Sequence, residues 1–316
     1  MIELLLRDAI MYSCLLILMG LSITLVFVAT RVFNFAVGSL VTIGLYVVLT
    51  GVKLWGGNPY YYVSLCFVVG SIMGLALYKL LVGPLMRRGA GDITLMMATM
   101  GFDIALVAIL NIYADYLSRV HKVMSRLFLL EGLDFNVAGN PGLSIVAPVT
   151  AFSLVVALYL FLTKTAFGTA IRATIENPFL TSLMGINTEL VYTASFIIAG
   201  GLATLAGGLT SLMTQGNPDT GMSIIVSMFA SSILGGLYSI YGPVPGGLLI
   251  GLTEILGMYL LSIWLGYWII PYRPMLPLII MALTLLVIPR GLAGVWATFS
   301  ARALPALRMR RRSERR

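Results

Sequence analysis

The sequence predicts an all-α, polytopic membrane helix bundle, and three observations carry that prediction. Of the 316 residues, 59% are hydrophobic and 10% charged, with a mean hydropathy of +0.99; soluble domains carry about 25% charged residues. Apolar runs reach or approach the roughly 20 residues that cross a hydrocarbon core about 30 Å thick, and they recur along nearly the whole chain. The runs are apolar on every face, as in YSCLLILMGLSITLVFVAT (12–30). Strands of a membrane barrel would instead alternate apolar and polar over about ten residues.

The spans are expected at 9–30, 33–54, 60–82, 93–112, 145–163, 188–212, 222–240, 243–266 and 274–290. The first is too long for a signal-peptide apolar region, and no small-x-small cleavage site precedes Arg31, so it reads as a retained span. The seventh is the shortest: MSIIVSMFASSILGG offers 15 residues, about 22 Å of helix at 1.5 Å per residue. The expectation is therefore eight or nine membrane segments, one of them short or broken. Small residues at spacing four (Gly70 and Gly74; Ala199, Ala203 and Gly207; Gly242 and Gly246; Gly247 and Gly251) predict helices that approach closely in lipid.

Charge sets an orientation. With the amino terminus outside, the inner connections receive Arg31, Lys79, Arg87, Arg88, Lys164, Arg172 and the eight arginines from Arg290 onward, fourteen of the 20 basic residues. This places the carboxyl terminus in the cytoplasm and requires an odd number of crossings. Trp55, Trp264 and Trp268 then fall at outer span ends and Trp296 at the inner side, where amphipathic rings favour the interface. The net charge of +8 reads as positive-inside anchoring, not as a nucleic-acid footprint. Residues 1–290 form one transmembrane domain and 291–316 a basic cytoplasmic tail.

Several chemistries are missing. None of the four lysines completes the G-K-[ST] end of a phosphate-binding loop, so the chain lacks that route to ATP hydrolysis. There is no G-x-S-x-G or H-E-x-x-H stretch, and His121 is the single histidine. Cys14 and Cys66 lie in apolar runs and suggest neither a disulfide nor a metal site. The expected catalytic, cofactor and metal sites are accordingly none. Asp103 and Glu254 are the acidic residues deep in spans. A charge there costs about 2.5 to 3.5 kcal/mol on insertion scales, so each is expected to have a partner, a cavity or a bound proton, with Arg31 and Asn34 as conceivable partners.

Three stretches look purposeful. In RVFNFAVGSLVTIGLY (31–46), Asn34 can cap the next span by accepting a free backbone N–H, while Gly38, Ser39 and Gly44 keep one face small. In TQGNPDTGMSIIVSMFASSILGG, Asn217 to Thr220 form a turn into a short helix whose amino end could attract a substrate carboxylate. Between spans five and six, FGTAIRATIENPFLTSLMGIN gives one or two helical turns, a break at Asn177 imposed by Pro178, a second short helix and a left-handed cap at Gly185. This inner knuckle is neither short nor strongly basic, and it reads as a docking element for another protein.

In order along residues 9 to 290, these stretches together with LVGPLMRRGAGDITLMMATMG (81–101) and FASSILGGLYSIYGPVPGGLLIGLTEIL (229–256) resemble the shorter type of permease subunit of ABC importers for branched-chain amino acids. That resemblance implies a type II ABC importer bundle. It also implies a second permease subunit, two separate ATPase subunits that use ATP at the cytoplasmic face, and an extracytoplasmic substrate-binding protein. It places ATPase coupling in 164–187, on Gly168, Arg172, Ala173, Glu176, Asn177, Pro178 and Gly185, with Pro178 less typical. It places the substrate pathway near Asn34, Gly38 and Ser39, with Val37 and Ser39 where His and an acidic residue are common. Asp219, Thr220 and Glu254 are added to that pathway from the residues themselves. Asp103 is unusual for the family. The expected function is import of branched-chain or other hydrophobic amino acids by alternating access. The alternatives are an ABC permease for sugars or short amides such as urea, and a self-sufficient secondary transporter or channel in which Asp103 and Glu254 carry protons.

Overall fold

A computed structural model describes residues 2–137, 139–289 and 291–294. Helices form where apolar runs leave the backbone no partner but itself. They are α1 (Ile2–Thr30), α2 (Val37–Thr50), α3 (Pro59–Leu77), α4 (Gly83–Arg87), α5 (Asp92–Val120), α6 (Leu143–Lys164), α7 (Ala166–Glu176), α8 (Pro178–Leu183), α9 (Thr188–Thr210), α10 (Thr220–Gly235), α11 (Pro243–Leu252), α12 (Met258–Leu265) and α13 (Met275–Val287). Single π-helical turns at Gly51–Trp55, Tyr78–Val82 and Thr253–Gly257 extend α2, join α3 to α4 and join α11 to α12, so these pairs cross as continuous rods. A two-residue hairpin, Asn136–Val137 with Asn140–Pro141, lies before α6.

Among the described residues, eight helices are long and apolar enough to cross a membrane. The expected spans all have helices, and their ends differ most at the first and fourth. Helix α1 starts seven residues before the expected residue 9, and α5 runs eight residues beyond 112. The extra turns of α5 carry Asp115, whose carboxylate receives Arg126 Nε at 2.8 Å, so polar residues end the apolar run without ending the helix. The seventh expected segment, α10, has 16 residues, about 24 Å, and is the shorter apolar helix beside these eight. The loop before it pairs Gly216 with Phe128 of the α5–α6 connection. The loop after it sets Tyr241 5.6 Å from Tyr159, near the far end of α6.

Helix α1 occupies the centre, its most apolar stretch wholly buried against α6, α9, α10 and α11. The small residues expected at helix contacts are at contacts. A Cβ on Gly70 would lie 2.3 Å from Gly200 O, and one on Gly247 would lie 2.8 Å from Ile17 N. A side chain there would clash, so glycine lets the backbones approach to van der Waals contact, and that packing replaces the water-driven force that lipid cannot supply. Trp55, Trp264 and Trp268 are all exposed, at one end of the bundle and opposite α7 and α8. The basic tail, Trp296 and Arg290 lie outside the described residues apart from 291–294.

Candidate functional site

The second span does not begin at 33 as expected. Residues 31–36 are non-helical, and α2 starts at Val37. Backbone of this kind needs partners inside the protein, and α5 supplies them from one face. Thr99 Oγ1 receives Phe35 N at 3.3 Å, while its single hydrogen goes to Met96 O at 2.9 Å, with Phe33 O the more distant alternative at 3.4 Å. One turn on, Asp103 Oδ1 receives Ser39 N at 3.1 Å and also the Ser39 hydroxyl, which donates to it or to Asp103 O. Ser39 N is the third amide of α2, one of the donors a helix start leaves unpaired. A carboxylate there is favoured by the helix dipole. The partner of Asp103 is therefore Ser39, neither Arg31 nor Asn34. Arg31 instead lies over the Tyr238 ring at 4.9 Å. Asn34 Oδ1 receives Ala36 N at 3.1 Å, so it shapes the turn before the helix while Asp103 caps the helix itself. Asp103 is 2% exposed and eleven residues into α5, about 16 Å from its start.

The amino ends of α2 and α10 meet here. A Cβ on Gly221 would fall within van der Waals contact of Gly38 O, and Gly221 N donates to Thr42 Oγ1 at 2.9 Å. Thr220 N donates to Asn217 O at 3.2 Å. Two amides expected to be free for a substrate carboxylate are thus taken by the protein, and the start of α10 is a sealed helix crossing. Asn217 Oδ1 receives Asp219 N at 2.9 Å, which fixes the turn and leaves the Asp219 side chain exposed.

On the tryptophan side of this crossing, Glu254 sits in the π-helical turn between α11 and α12. Its Oε1 receives Tyr12 Oη at 3.1 Å and Arg273 Nε at 2.7 Å, and the Arg273 guanidinium lies over the Tyr12 ring at 4.8 Å. Glu254 Oε2 is buried with no hydrogen-bond partner among the described residues. A pocket of about 190 Å³ adjoins it, lined also by Thr220, Ser223, Ile224 and Pro274.

At the other end of the bundle, the knuckle between α6 and α9 is built from caps. Thr165 Oγ1 receives Gly168 N at 2.9 Å to open α7, and a Cβ on Gly168 would lie 2.3 Å from Phe161 O, so the turn out of α6 closes tightly. Asn177 is extended, ends α7 and accepts Leu180 N at 3.1 Å on Oδ1. Pro178 follows as the first residue of α8, where a missing N–H costs nothing. Gly185 has φ +79, with Gly185 N bonded to Ser182 O and Ile186 N to Thr181 O, the paired bonds of a glycine-ended helix. Asn187 Oδ1 then receives Glu189 N and Leu190 N to start α9. Ile171, Thr174 and Thr181 face inward. Arg172 and Glu176 face outward with Phe179, Leu180, Leu183 and Met184, the last 82% exposed, while Ala173 is half-buried. Beside them Arg87, at the end of α4, pairs with Glu189 at the start of α9.

The profile of the family described as "Branched-chain amino acid transport system / permease component" matches residues 5–289. The chain belongs to this family. Among curated proteins, a probable branched-chain amino acid transport permease protein LivH of Methanocaldococcus jannaschii is 42% identical over 293 residues, 93% of each chain. The high-affinity branched-chain amino acid transport system permease protein BraD of Pseudomonas aeruginosa is 27% identical over 251 residues, 76% of this chain and 81% of that one. An autoinducer 2 import system permease protein LsrC of Yersinia enterocolitica is 31% identical over 256 residues, 78% of this chain and 63% of that one. No solved structure matches the chain.

In this permease the expected residues separate into two places. Asn34, Gly38, Ser39 and Thr220 meet at the α2–α10 crossing, Thr220 also lines the pocket of Glu254, and Asp219 lies at the exposed edge. Gly168, Arg172, Ala173, Glu176, Asn177, Pro178 and Gly185 form the knuckle. Sequence reasoning passed over Thr42, Thr99, Tyr12, Arg273 and the apolar face of α8. Two signals were available. Thr99 and Asp103 stand four apart, on one helix face. Arg273 is the single basic residue and Glu254 the single acidic residue between 222 and 289.

Proposed function

We propose that this permease is one of two membrane subunits of an ATP-driven importer of branched-chain or other hydrophobic amino acids. The observation that carries the reading, beside family membership, is the knuckle. It is a membrane-surface element held by its own caps, with an outward face of Arg172, Glu176 and four apolar side chains that the bundle leaves uncovered. Exposed apolar groups rimmed by charge mark interaction surfaces. The partners on this reading are a second permease, two ATPase subunits seated on the knuckle, and an extracytoplasmic substrate-binding protein. The chain itself catalyses no covalent step, holds no cofactor and leaves ATP to its partners. The knuckle side is cytoplasmic, with the amino terminus outside and the carboxyl terminus inside. Substrate passes near Asn34, Gly38, Ser39, Asp219, Thr220 and Glu254 as the bundle alternates between outward and inward access. ATP drives this by changing the relative stability of the two states.

A gradient-driven transporter fits less well, because Asp103 caps α2 through Ser39 and Glu254 is ion-paired with Arg273, so neither carboxylate stands alone as a proton carrier. Tagged protein purified in mild detergent should retain an ATPase subunit, and the reconstituted complex should accumulate leucine only with ATP inside the ATPase compartment. Clean recovery of the permease alone, with uptake following an ion gradient, would overturn the reading.

A further inference from the structure

The pocket beside Glu254 has a feature that helix packing does not require. Its carboxylate side chain is 5% exposed and paired through one oxygen only; Oε2 is buried and without a partner among the described residues. Leaving a buried charged acceptor unmade is costly, and an apolar seal would have no use for it. The neighbouring guanidinium of Arg273 has Nε committed to Oε1, lines the same pocket and is 36% exposed. Glu254 and Arg273 therefore border one space, the first with an unpaired carboxylate oxygen and the second with guanidinium N–H groups beyond Nε.

Charge decides what that space accepts. The Glu254–Arg273 pair is neutral as a unit, so a lone cation or lone anion would bury a net charge, which low-dielectric surroundings oppose. A molecule carrying one ammonium and one carboxylate adds none. The hydroxyls of the lining offer little competition, since Ser223 Oγ donates to Thr220 O, Thr220 Oγ1 is engaged with Asn217 and Thr214 Oγ1 donates to Thr210 O, while the exposed Gln215 adds a neutral amide. Tyr12, Ile224 and Pro274 supply an apolar wall. The volume of about 190 Å³ is below the roughly 300 to 1,000 Å³ of drug-sized pockets, which limits the occupant to one small molecule.

We propose that this pocket is a substrate site for a single zwitterionic amino acid, with its ammonium on Glu254 Oε2, its carboxylate on Arg273 and its hydrocarbon side chain against Ile224 and Pro274. The site rests on the importer reading above and gives it a location. It lies next to the start of α10, so occupancy bears on the helix that crosses α2 at Gly38 and Gly221.

The test uses the whole importer in nanodiscs without its binding protein, and measures equilibrium binding of radiolabelled leucine. Leucine should displace the label, while 3-methylbutylamine, which has only the ammonium, and 4-methylpentanoate, which has only the carboxylate, should compete about tenfold more weakly or worse. Glu254→Gln should weaken leucine binding by a similar factor. Ile224→Trp, which fills the pocket and leaves both charges, should do the same with an unchanged unfolding midpoint, and it stands in if Glu254→Gln does not fold. Leucine import by the wild-type complex together with unaltered leucine affinity in both variants overturns the site and leaves the importer reading intact. So does displacement by the amine as effective as by leucine. A wild-type complex that imports no hydrophobic amino acid overturns the importer reading and this site with it.

Discussion

The α2–α10 crossing and the α7–α8 knuckle are both places where a helix is broken, yet they spend their polar residues in opposite directions. At the crossing, Thr42, Thr99, Ser39 and Asp103 turn toward the backbone and satisfy it, and every one of them is buried. At the knuckle, Thr165, Asn177 and Asn187 also cap helices, but Arg172 and Glu176 remain free to face outward. At the crossing the polar side chains are thus backbone partners, whereas at the knuckle some are available to another protein.

The largest effect should come from Asp103. Asp103→Ala strands the Ser39 amide in the bundle, at about 1 to 3 kcal/mol for an unsatisfied group, leaves the Ser39 hydroxyl only the backbone Asp103 O, and removes the favourable charge at the start of α2. The expected result is poor recovery of folded protein and a clearly lowered unfolding midpoint. Asp103→Asn keeps an acceptor and should fall between that variant and the wild type. A midpoint unchanged in Asp103→Ala would mean that the crossing does not depend on this cap.

The knuckle should respond differently, in function before stability. Gly185→Val forces a β-branched residue into the left-handed region, where each L-residue loses about 1 to 2 kcal/mol. Nothing lies within 4 Å of the position where a Cβ would stand, so backbone conformation and not crowding is the cause. Combined with Arg172→Glu, it should leave the bundle folded and raise the ATP hydrolysed per leucine imported. Normal stoichiometry in the double variant would detach the knuckle from coupling. A milder change, Leu183→Ser with Met184→Ser, removes exposed apolar surface only and should shift stability by less than about 0.5 kcal/mol. ATPase subunits should nevertheless co-purify in lower yield, and full recovery would show that α8 contributes nothing to docking.

The contrast also explains what the sequence revealed. Capping is local, so Pro178 after Asn177 and the glycine at 185 announced the knuckle almost residue by residue. Apolar length is local too, and the spans fell close to where hydropathy placed them. The crossing depends on contacts between residues far apart in the chain. Asp103 serves Ser39 across 64 positions, and Tyr12 reaches Glu254 across 242. Hydropathy read residues 33–36 as part of a span because Phe33, Phe35 and Ala36 are apolar, although their backbone is non-helical, turns at 35–36 and is held by α5. Asp219 and Thr220 looked like the open mouth of a helix because Thr42, which closes it, belongs to another span.

The smallest effect concerns the join between the two regions. Arg87 and Glu189 pair at the surface beside the knuckle, with side chains 68% and 45% exposed. An ion pair so open to solvent contributes about 0 to 1 kcal/mol and weakens with salt. Arg87→Gln should therefore leave the unfolding midpoint almost unmoved. If the pair holds the start of α9 against α4 while the knuckle is pushed, its loss should appear as leucine uptake that is lower at low ionic strength and falls less steeply with added salt than in the wild type. The exchange Arg87→Glu with Glu189→Arg should restore the wild-type dependence, whereas either single reversal should not. Identical salt profiles in all four proteins would confine the two regions' connection to the buried contacts of Ile171 and Thr174, since the exposed pair would then transmit nothing.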